Sequence, residues 1–192
     1  MRRSVRALLA CSAWVALAAC VNPALVKVTY DSPVTQTSEK SASIHMTTGS
    51  VESDYAPGQI AQVRVNPKVL FNLDDQRAFA ESLKDELTRL KLLRIREISW
   101  GQVAAADVSI EIVFQRTVIF PVAVRYHLDV AMRLKSGERS FARRYYVNSA
   151  EGESTWTNMN TDAARGKALA AKKLMARLIP DIEKFVSESL GR

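Results

Sequence analysis

The sequence predicts an α+β fold, a two-layer sandwich in which two amphipathic helices pack on one face of a mainly antiparallel sheet. Three observations predict it. Apolar residues recur at helical spacing in two segments, and they alternate with polar residues in the segments between them. A short turn joins two of the alternating segments as a hairpin. The chain has 192 residues, which suffices for one hydrophobic core.

The start of the chain is typical of a secretory signal peptide. Three arginines precede an apolar run, residues 7–19, that is shorter than the roughly 20 residues of a membrane-spanning helix. An aliphatic residue, two small residues and a cysteine end this segment, which is the lipobox pattern of bacterial lipoproteins: Leu17, Ala18, Ala19 and Cys20. In such proteins the cysteine is acylated on sulfur and becomes the mature N-terminus. The alternative is an ordinary signal peptide with a fortuitous match.

Cleavage before Cys20 changes what composition implies. It removes three arginines, so Lys+Arg falls from 27 to 24 against 20 Asp+Glu, and the net charge falls from +7 to +4. This charge is compatible with an anionic partner but too weak to require one. Cys11 is discarded with the signal, so a disulfide with Cys20 is disfavoured, and two cysteines supply too few ligands for a metal.

The predicted organisation is a signal peptide over residues 1–19, a lipidated N-terminus with a polar tether over 20–58, and a single domain over 59–192. The segment after Cys20 is rich in Ser and Thr, which favours a tether that holds the domain off the bilayer. Partial disorder is expected around Asp31 to Ser53.

Ordered structure is predicted to begin with a strand in residues 58–67, which end at a proline. A helix follows, with capping candidates in residues 72–75 and i,i+4 spacing for an ion pair between Asp85 and Arg89. Its apolar residues recur at spacings of four, four and three: Phe79, Leu83, Leu87 and Leu90. Such a helix lies with one face on a sheet.

The middle of the chain is rich in predicted strands. Residues 108–114 and 124–135 alternate apolar and polar side chains, and residues 136–137 are the expected turn of a hairpin. That register places apolar residues opposite apolar ones and charge opposite counter-charge, in the pairs Met132–Phe141, Leu128–Tyr145, Tyr126–Val147 and Asp129–Arg144. Arg143 falls opposite Val130 on the core face, which indicates a sheet edge where the guanidinium reaches solvent.

A closing helix is predicted after a polar loop, with Asn160 or Thr161 as its cap. Its apolar stripe comprises Ala171, Leu174, Met175, Leu178, Ile182, Phe185 and Val186. Pro180 is expected to break or kink this helix, or to begin a second one.

No segment predicts catalysis, a metal site or a cofactor. The two histidines, His45 and His127, lie far apart, and no nucleophile elbow, phosphate-binding loop or zinc motif accompanies them. Asp74 and Asp75 precede a helix, where favourable charge at its N-terminus is the preferred interpretation over a catalytic pair. Trp100 and Trp156 adjoin turns, and edge-of-core packing is preferred there over a binding groove.

The strongest candidate for a ligand contact is a basic face of the predicted sheet. The alternation of the strands places four basic side chains on this face: Arg125, Arg133, Lys135 and Arg144. Such a face suits the phosphates of an anionic lipid headgroup or of lipopolysaccharide, whereas a solvated face with one Asp129–Arg144 pair is the plainer interpretation. Nucleic acid is not expected, because the compartment excludes it.

The order of elements resembles small Gram-negative envelope lipoproteins, in particular the YajG-type lipoproteins, and more distantly the lipopolysaccharide-assembly lipoprotein LptE. The residues that carry the resemblance are Leu17–Cys20 and the segments ESLKDELTRLKL, VRYHLDVAMRLKSGERSFARRYYV and KKLMARLIPDI. Val21 is not the aspartate that such proteins use for inner-membrane retention. The resemblance therefore implies the periplasmic face of the outer membrane, with the inner membrane as the alternative.

These observations lead to three functional hypotheses. The first is a membrane-anchored, non-enzymatic lipoprotein, held through the acylated Cys20, that binds a protein partner or assists assembly in the cell envelope. The second is direct binding of lipid or lipopolysaccharide by the basic face. The third is an unrecognised hydrolase, which requires a pocket with convergent titratable groups.

Overall fold

A computed structural model of the chain describes residues 24–25, 27–53, 70–100, 106–120, 125–149 and 159–190. Within them lie five strands and two helices, which in chain order are β1 (Ser41–Ser53), α1 (Leu73–Arg89), β2 (Arg94–Ser99), β3 (Val108–Phe120), β4 (Arg125–Ser136), β5 (Arg139–Asn148) and α2 (Met159–Leu190). The predicted strand in residues 58–67 and the signal segment lie outside the described residues.

The five strands form one sheet in the order β2-β1-β3-β4-β5. Strand β1 runs parallel to both of its neighbours, while β3, β4 and β5 pair antiparallel. Both helices pack against the sheet, and their apolar residues form one core with it. The predicted α+β, two-layer fold is confirmed, and the sheet is mixed because β1 contributes two parallel pairings that need a crossover connection.

Strand β1 corrects the predicted extent of the tether. Tether and disorder were expected through Ser53, yet Ser41–Ser53 is a strand bonded on both sides. Ala42, Ile44 and Met46 are buried with almost no exposed surface. The composition conceals this strand, because the residues that alternate with the apolar ones, Ser41, Ser43 and His45, are polar although they too are buried. The folded domain therefore includes residues that the sequence placed outside it.

One glycine lets β1 pass beside an irregularity in β3. The pairing of β3 shifts between Phe114 and Arg116, so Gln115 is the extra residue of a bulge. Gly49 lies beside it, and a Cβ atom there would approach the Gln115 carbonyl oxygen to 2.3 Å. Only glycine allows this close approach of two backbones.

Helix α1 begins at a capping box. The Asn72 side chain accepts hydrogen bonds from the amides of Asp74 and Asp75, and the Asp75 carboxylate accepts one from the Asn72 amide at 3.0 Å. The predicted apolar residues Phe79, Leu83 and Leu87 are fully buried. Both the helix and its cap are confirmed.

The ion pair predicted within α1 is wrong. Asp85 pairs instead with Lys27 at 2.5 Å, and Arg89 pairs with Glu86 at 2.6 Å. The reason is that Lys27, in an N-terminal segment that crosses the helix, pairs with Asp85, while Arg89 pairs with Glu86 three residues earlier in α1.

The β4–β5 hairpin forms, with a register that differs by two residues from the predicted one. Leu128 pairs with Val147 and Val130 with Tyr145, because the two-residue turn is Gly137-Glu138. Gly137 has φ +59°, a conformation that favours glycine at the first turn position. A two-residue shift keeps every side chain on its predicted face.

Helix α2 continues through Pro180, which is exposed, so the predicted break and second helix are wrong. The helix starts at Met159, which places Asn160 and Thr161 inside it rather than at its cap. All members of the predicted apolar stripe are buried: Ala171, Leu174, Met175, Leu178, Ile182, Phe185 and Val186. The stripe was therefore a correct prediction of the packed face.

Residues 24–25 and 27–40, here called the strap, lie across the two helices. Along α1, the Leu25 amide donates to Asp75 Oδ1 at 2.8 Å, the Val28 amide donates to Ser82 Oγ at 3.2 Å, and Arg89 Nη2 donates to the Tyr30 carbonyl at 2.8 Å. Leu25, Val28 and Tyr30 are buried in the common core. This part of the expected tether is docked onto the domain.

The strap also contacts α2 and the far end of α1. Lys172 donates to Asp31 at 2.6 Å, and the Thr35 amide donates to Glu183 Oε1 at 2.6 Å. The Ser38 amide donates to the Lys91 carbonyl at 2.7 Å, just beyond the end of α1. The strap thus follows the full length of α1 before β1 begins.

Neither helix of the described residues is both long and apolar enough to cross a membrane.

Candidate binding surface

The most exposed large hydrophobic side chain in the described part of the chain is Tyr146, at 63%. It lies on β5, the last strand of the sheet, with its side chain on the face opposite the helices. Arg144 Cζ lies 5.2 Å from the centre of its ring. This exposed tyrosine under a guanidinium is the centre of the candidate binding surface.

On one side of Tyr146, a groove of about 370 Å³ separates β5 from α2. Arg143 crosses it and donates to both carboxylate oxygens of Asp181 at 3.1 Å. The Tyr145 hydroxyl donates to Asp181 Oδ2 at 2.7 Å. Burial first, and then this hydrogen bond to an anion, raises the pKa of Tyr145, so its hydroxyl remains a donor at neutral pH.

Arg143 confirms the predicted sheet edge. It shares the core-facing parity of Tyr145, pairs with Met132 rather than Val130, and keeps its guanidinium exposed. Because β5 has no neighbouring strand among the described residues, the side chain can reach outward to Asp181 on α2.

On the other side of Tyr146, a groove of about 390 Å³ opens on the sheet face opposite the helices, which we call the free face. His127 and Asp129 from β4, together with Asn148 and Arg116, line it. Burial, followed by the positive charge of Arg125, lowers the pKa of His127, so the neutral imidazole is favoured. No serine, threonine or cysteine is among the described residues that line this groove.

Asp129 is held by Arg144, whose Nε donates to Oδ1 at 2.7 Å. This hydrogen bond, and then the charge of Asp129, raises the pKa of Arg144. The predicted Asp129–Arg144 pair is therefore confirmed as a contact. It runs diagonally, since Asp129 pairs with Tyr146 in the register and Arg144 with Ala131.

The four predicted cations share the free face of the sheet, but they do not form one compact site. Arg125 and Lys135 stand at opposite ends of β4, about 33 Å apart at the usual rise per residue. Arg133 pairs with Glu111 at 3.4 Å. Arg125 and Lys135 have no ion pair with any residue that the structure describes.

The other candidate residues have structural roles. His45 is nearly buried on β1, where its Nδ1 lies 3.2 Å from Ser99 Oγ. Arg77 Cζ lies 5.7 Å from the centre of the Trp100 ring, which is 37% exposed. Within the described ranges, no group of three His, Cys, Asp or Glu residues could hold a metal. Trp156, Cys20 and the lipobox lie outside them.

Asp75 has a partner that the sequence analysis missed. Lys167 Nζ donates to its Oδ2 at 2.7 Å, and the two side chains are 0% and 2% exposed. Burial lowers the pKa of Lys167, while the hydrogen bond to Asp75 opposes this shift. The signal was a lysine four residues before Ala171, on the apolar stripe of α2. The pair joins α1, α2 and the strap, which supports the structural interpretation of the Asp74–Asp75 sequence.

The sequence analysis also did not single out Tyr146 as the centre of a candidate binding surface. The alternation of the hairpin places Tyr146 on the polar face, which is the signal that was available. The groove between β5 and α2, by contrast, depends on tertiary packing that no local sequence pattern predicts.

Comparison with known proteins supports the fold. No protein-family model matches the sequence, and no curated protein matches it. The structure is similar to the crystal structure of protein XCC0632 from Xanthomonas campestris, described with the family model DUF330, at a TM-score of 0.60 and 10% identity over 88% of this chain and 97% of that chain. At this identity the similarity concerns the fold alone.

A second solved structure, described as that of an uncharacterized protein, aligns at a TM-score of 0.39 and 13% identity, covering 80% of this chain and 99% of that chain. The similarity to XCC0632 and the geometry of the sheet together define an α+β domain of the architecture seen in XCC0632.

Proposed function

We propose that the protein is a lipid-anchored, periplasm-facing lipoprotein that binds a protein partner or assists assembly in the cell envelope and has no enzymatic activity. The anchor is the acylated Cys20, and the periplasmic face of the outer membrane is the proposed location. The Leu17–Cys20 lipobox behind a short apolar run supports the anchor. The resemblance to YajG-type lipoproteins, and more distantly to LptE, supports the assembly role.

The observation that carries the proposed binding role is the exposure of Tyr146 beside Arg143 and Arg144 at the edge of the sheet. Tyrosine and arginine are among the residue types that most often dominate the energy of protein interfaces. A rigid strand presents them, and the ion pairs with Asp129 and Asp181 fix both guanidinium groups. A preorganised surface of this kind loses little entropy on binding.

Recognition is proposed to proceed through side chains rather than by addition of a strand. The backbone carbonyls of Tyr146 and Asn148, which point to the free edge, already accept hydrogen bonds from Arg177 at 2.7 Å and Lys173 at 3.0 Å. An incoming strand would have to displace both. A partner with acidic and aromatic side chains fits the surface without disturbing these bonds.

Affinity purification from envelopes, using protein anchored through its native Cys20, tests this function. Tyr146→Ala and Arg144→Glu are expected to lose the partner that the wild type retains. Arg133→Glu, on the same face but far along β4, is the matched control and should keep it. Because Tyr146 is exposed, its substitution should change the free energy of unfolding by no more than about 0.5 kcal/mol. Equal recovery of all proteins by wild type and Tyr146→Ala would contradict the proposed surface.

Direct binding of anionic lipid or lipopolysaccharide is the second candidate. The exposed cations on the free face favour it, above all Arg125 and Lys135, which have no ion pair within the described residues. The triple charge reversal Arg125→Glu, Arg133→Glu and Arg144→Glu should abolish binding to lipopolysaccharide, while Tyr146→Ala should not. Unaltered lipid binding by the triple variant would exclude this candidate.

A further inference from the structure

The strap has a direction that bears on how the domain meets a membrane. Near its start, the Leu25 amide donates to Asp75 in the first turn of α1. Farther along the strap, the Ser38 amide donates to the Lys91 carbonyl, two residues beyond the end of α1. The chain thus enters the domain at the end where α1 begins and reaches the opposite end before β1 starts.

The start of α1 coincides with one end of the sheet. Thr117 Oγ1, late in β3, donates to the Phe71 carbonyl at 3.3 Å, just before α1. Phe120 and Arg125 pair at the same sheet end, where β4 begins. We call this the anchor end, defined by Leu25, Leu73 and Arg125. The Gly137-Glu138 turn lies at the other end, about 36 Å away along β4.

The chain between the anchor and the domain is short. Four residues separate Cys20 from Leu25, and the five residue steps between these two positions span at most about 18 Å when fully extended. If Cys20 carries the acyl chains, the anchor end is confined to this distance from the bilayer surface. The hairpin turn at the far end is under no such limit.

The point where the chain enters the domain is also rigid. The Asp75 carboxylate that accepts from the Leu25 amide is 2% exposed and is paired with the buried Lys167. Leu25 itself is buried in the core. The segment therefore starts from a fixed position on the domain, which is what converts a short connection into a preferred orientation.

We propose that the domain stands end-on on the lipid bilayer that holds it, with the anchor end as the membrane-facing surface. This inference rests on the proposed lipid anchor. Leu73, 39% exposed in the first turn of α1, and the exposed Arg125 are side chains suited to an interface of acyl chains and anionic headgroups. Arg133, Lys135 and the hairpin turn then point away from the bilayer, toward partners in the periplasm.

This orientation separates two parts of the free face. Arg125 lies close enough to contact the headgroups of the membrane that holds the protein, whereas Lys135 does not. Binding of lipid by the distal half of the face would require lipid that has left the bilayer or that belongs to another membrane.

Site-specific labelling of the mature lipidated protein tests the orientation. After removal of the signal, Cys20 is the only cysteine and is acylated, so Leu73→Cys and Glu138→Cys each provide a single free thiol. Each labelled variant is reconstituted into vesicles of phosphatidylethanolamine and phosphatidylglycerol that contain an acceptor-labelled lipid. Energy transfer to the acceptor should be strong from position 73 and weak or absent from position 138.

A flexible Gly/Ser segment as long as the strap, inserted after Val21, provides the matched control. It should leave the protein bound to the vesicles and bring the two transfer efficiencies together. Equal transfer from both positions in the native-length protein would overturn the orientation. Flotation with the vesicles separates the two proposals. A protein with the native Cys20 that does not float contradicts the lipid anchor. A protein that floats but shows no difference in energy transfer between positions 73 and 138 contradicts the orientation alone.

Discussion

The two faces of the sheet differ in the solvent exposure of their charged side chains. On the helical face, Lys167 and Asp75 are fully enclosed and bound to each other. On the free face, Arg133 keeps 71% of its side chain exposed and pairs with a partly exposed glutamate. Buried charge must be paired to be tolerated, while exposed charge costs little either way. The helical face is therefore where charge affects stability, and the free face is where charge is available to a partner.

The largest expected effect comes from breaking the buried pair. Lys167→Met leaves the Asp75 carboxylate enclosed without its cation, and the free energy of unfolding should fall by about 3–5 kcal/mol. Asp75→Asn together with Lys167→Met removes both charges and should recover much of this loss. Urea denaturation of the mature domain measures both.

Lys184→Met is the control for this experiment, since Lys184 is an exposed lysine on the same helix. It should change stability by no more than about 0.5 kcal/mol. A Lys167→Met variant as stable as Lys184→Met would show that the two faces do not differ in this respect.

The next effect concerns the sheet that separates the faces. Gly49→Ala places a methyl group against the bulge of β3, where the Gln115 carbonyl leaves no room. The strands must move apart, and a loss of about 1–3 kcal/mol is expected, as for other overpacked sites. Thermal unfolding checks it. Stability equal to that of the wild type would mean that the bulge can shift without cost.

The helices and the antiparallel strands could be predicted because their patterns are local. The stripe of α2 and the alternation of β3 and β4 each report burial directly through their period. Strand β1 could not be recognised in this way, since its Ser and Thr residues resemble a linker and its partners are distant in sequence. Only the pairing with β2 and β3 reveals that Ile44 and Met46 belong to the core.

The candidate surface was predictable in part for the same reason. The parity of Arg125, Arg133, Lys135 and Arg144 follows from the strand pattern, so their common face was a correct prediction. Their separation along β4 was not considered, because the alternation of a strand predicts on which face a side chain lies and not how far apart two side chains are. The groove between β5 and α2 depends on where α2 packs, and the hairpin sequence does not determine that position.

A smaller effect is expected from an ion pair on the free face. Arg133 and Glu111 face solvent across neighbouring strands, so a double-mutant cycle of Arg133→Ala and Glu111→Ala should give a coupling of about 0.2–1 kcal/mol. Added salt should reduce it, because exposed charges are screened. A coupling as large as that of Lys167 with Asp75, or one that is insensitive to salt, would remove the contrast between the faces.

The smallest effect distinguishes the strap from the rest of the helical face. A hydrogen bond from Lys172, reinforced by its charge, lowers the pKa of Asp31, and one from Lys27 likewise lowers the pKa of Asp85, from a usual value of 3.8. A carboxylate whose pKa is lowered on folding stabilises the folded state above its unfolded pKa, and this contribution is lost as the pH falls through the folded pKa. Both carboxylates are exposed, so the strap should loosen below pH 3.8 while the core stays folded.

Amide hydrogen exchange of the strap, followed from neutral pH into this acidic range and corrected for the intrinsic rate, measures the loosening. Asp31→Asn and Asp85→Asn should lose protection of the strap already at neutral pH and show less further change on acidification. The core amides of β3 and β4 serve as the internal control, since the pairing that protects them involves neither carboxylate. If the strap and the core lose protection together, the strap is not a separately docked element. The rigidity of the entry point at Leu25, from which the orientation at the membrane was inferred, would then be a property of the whole domain.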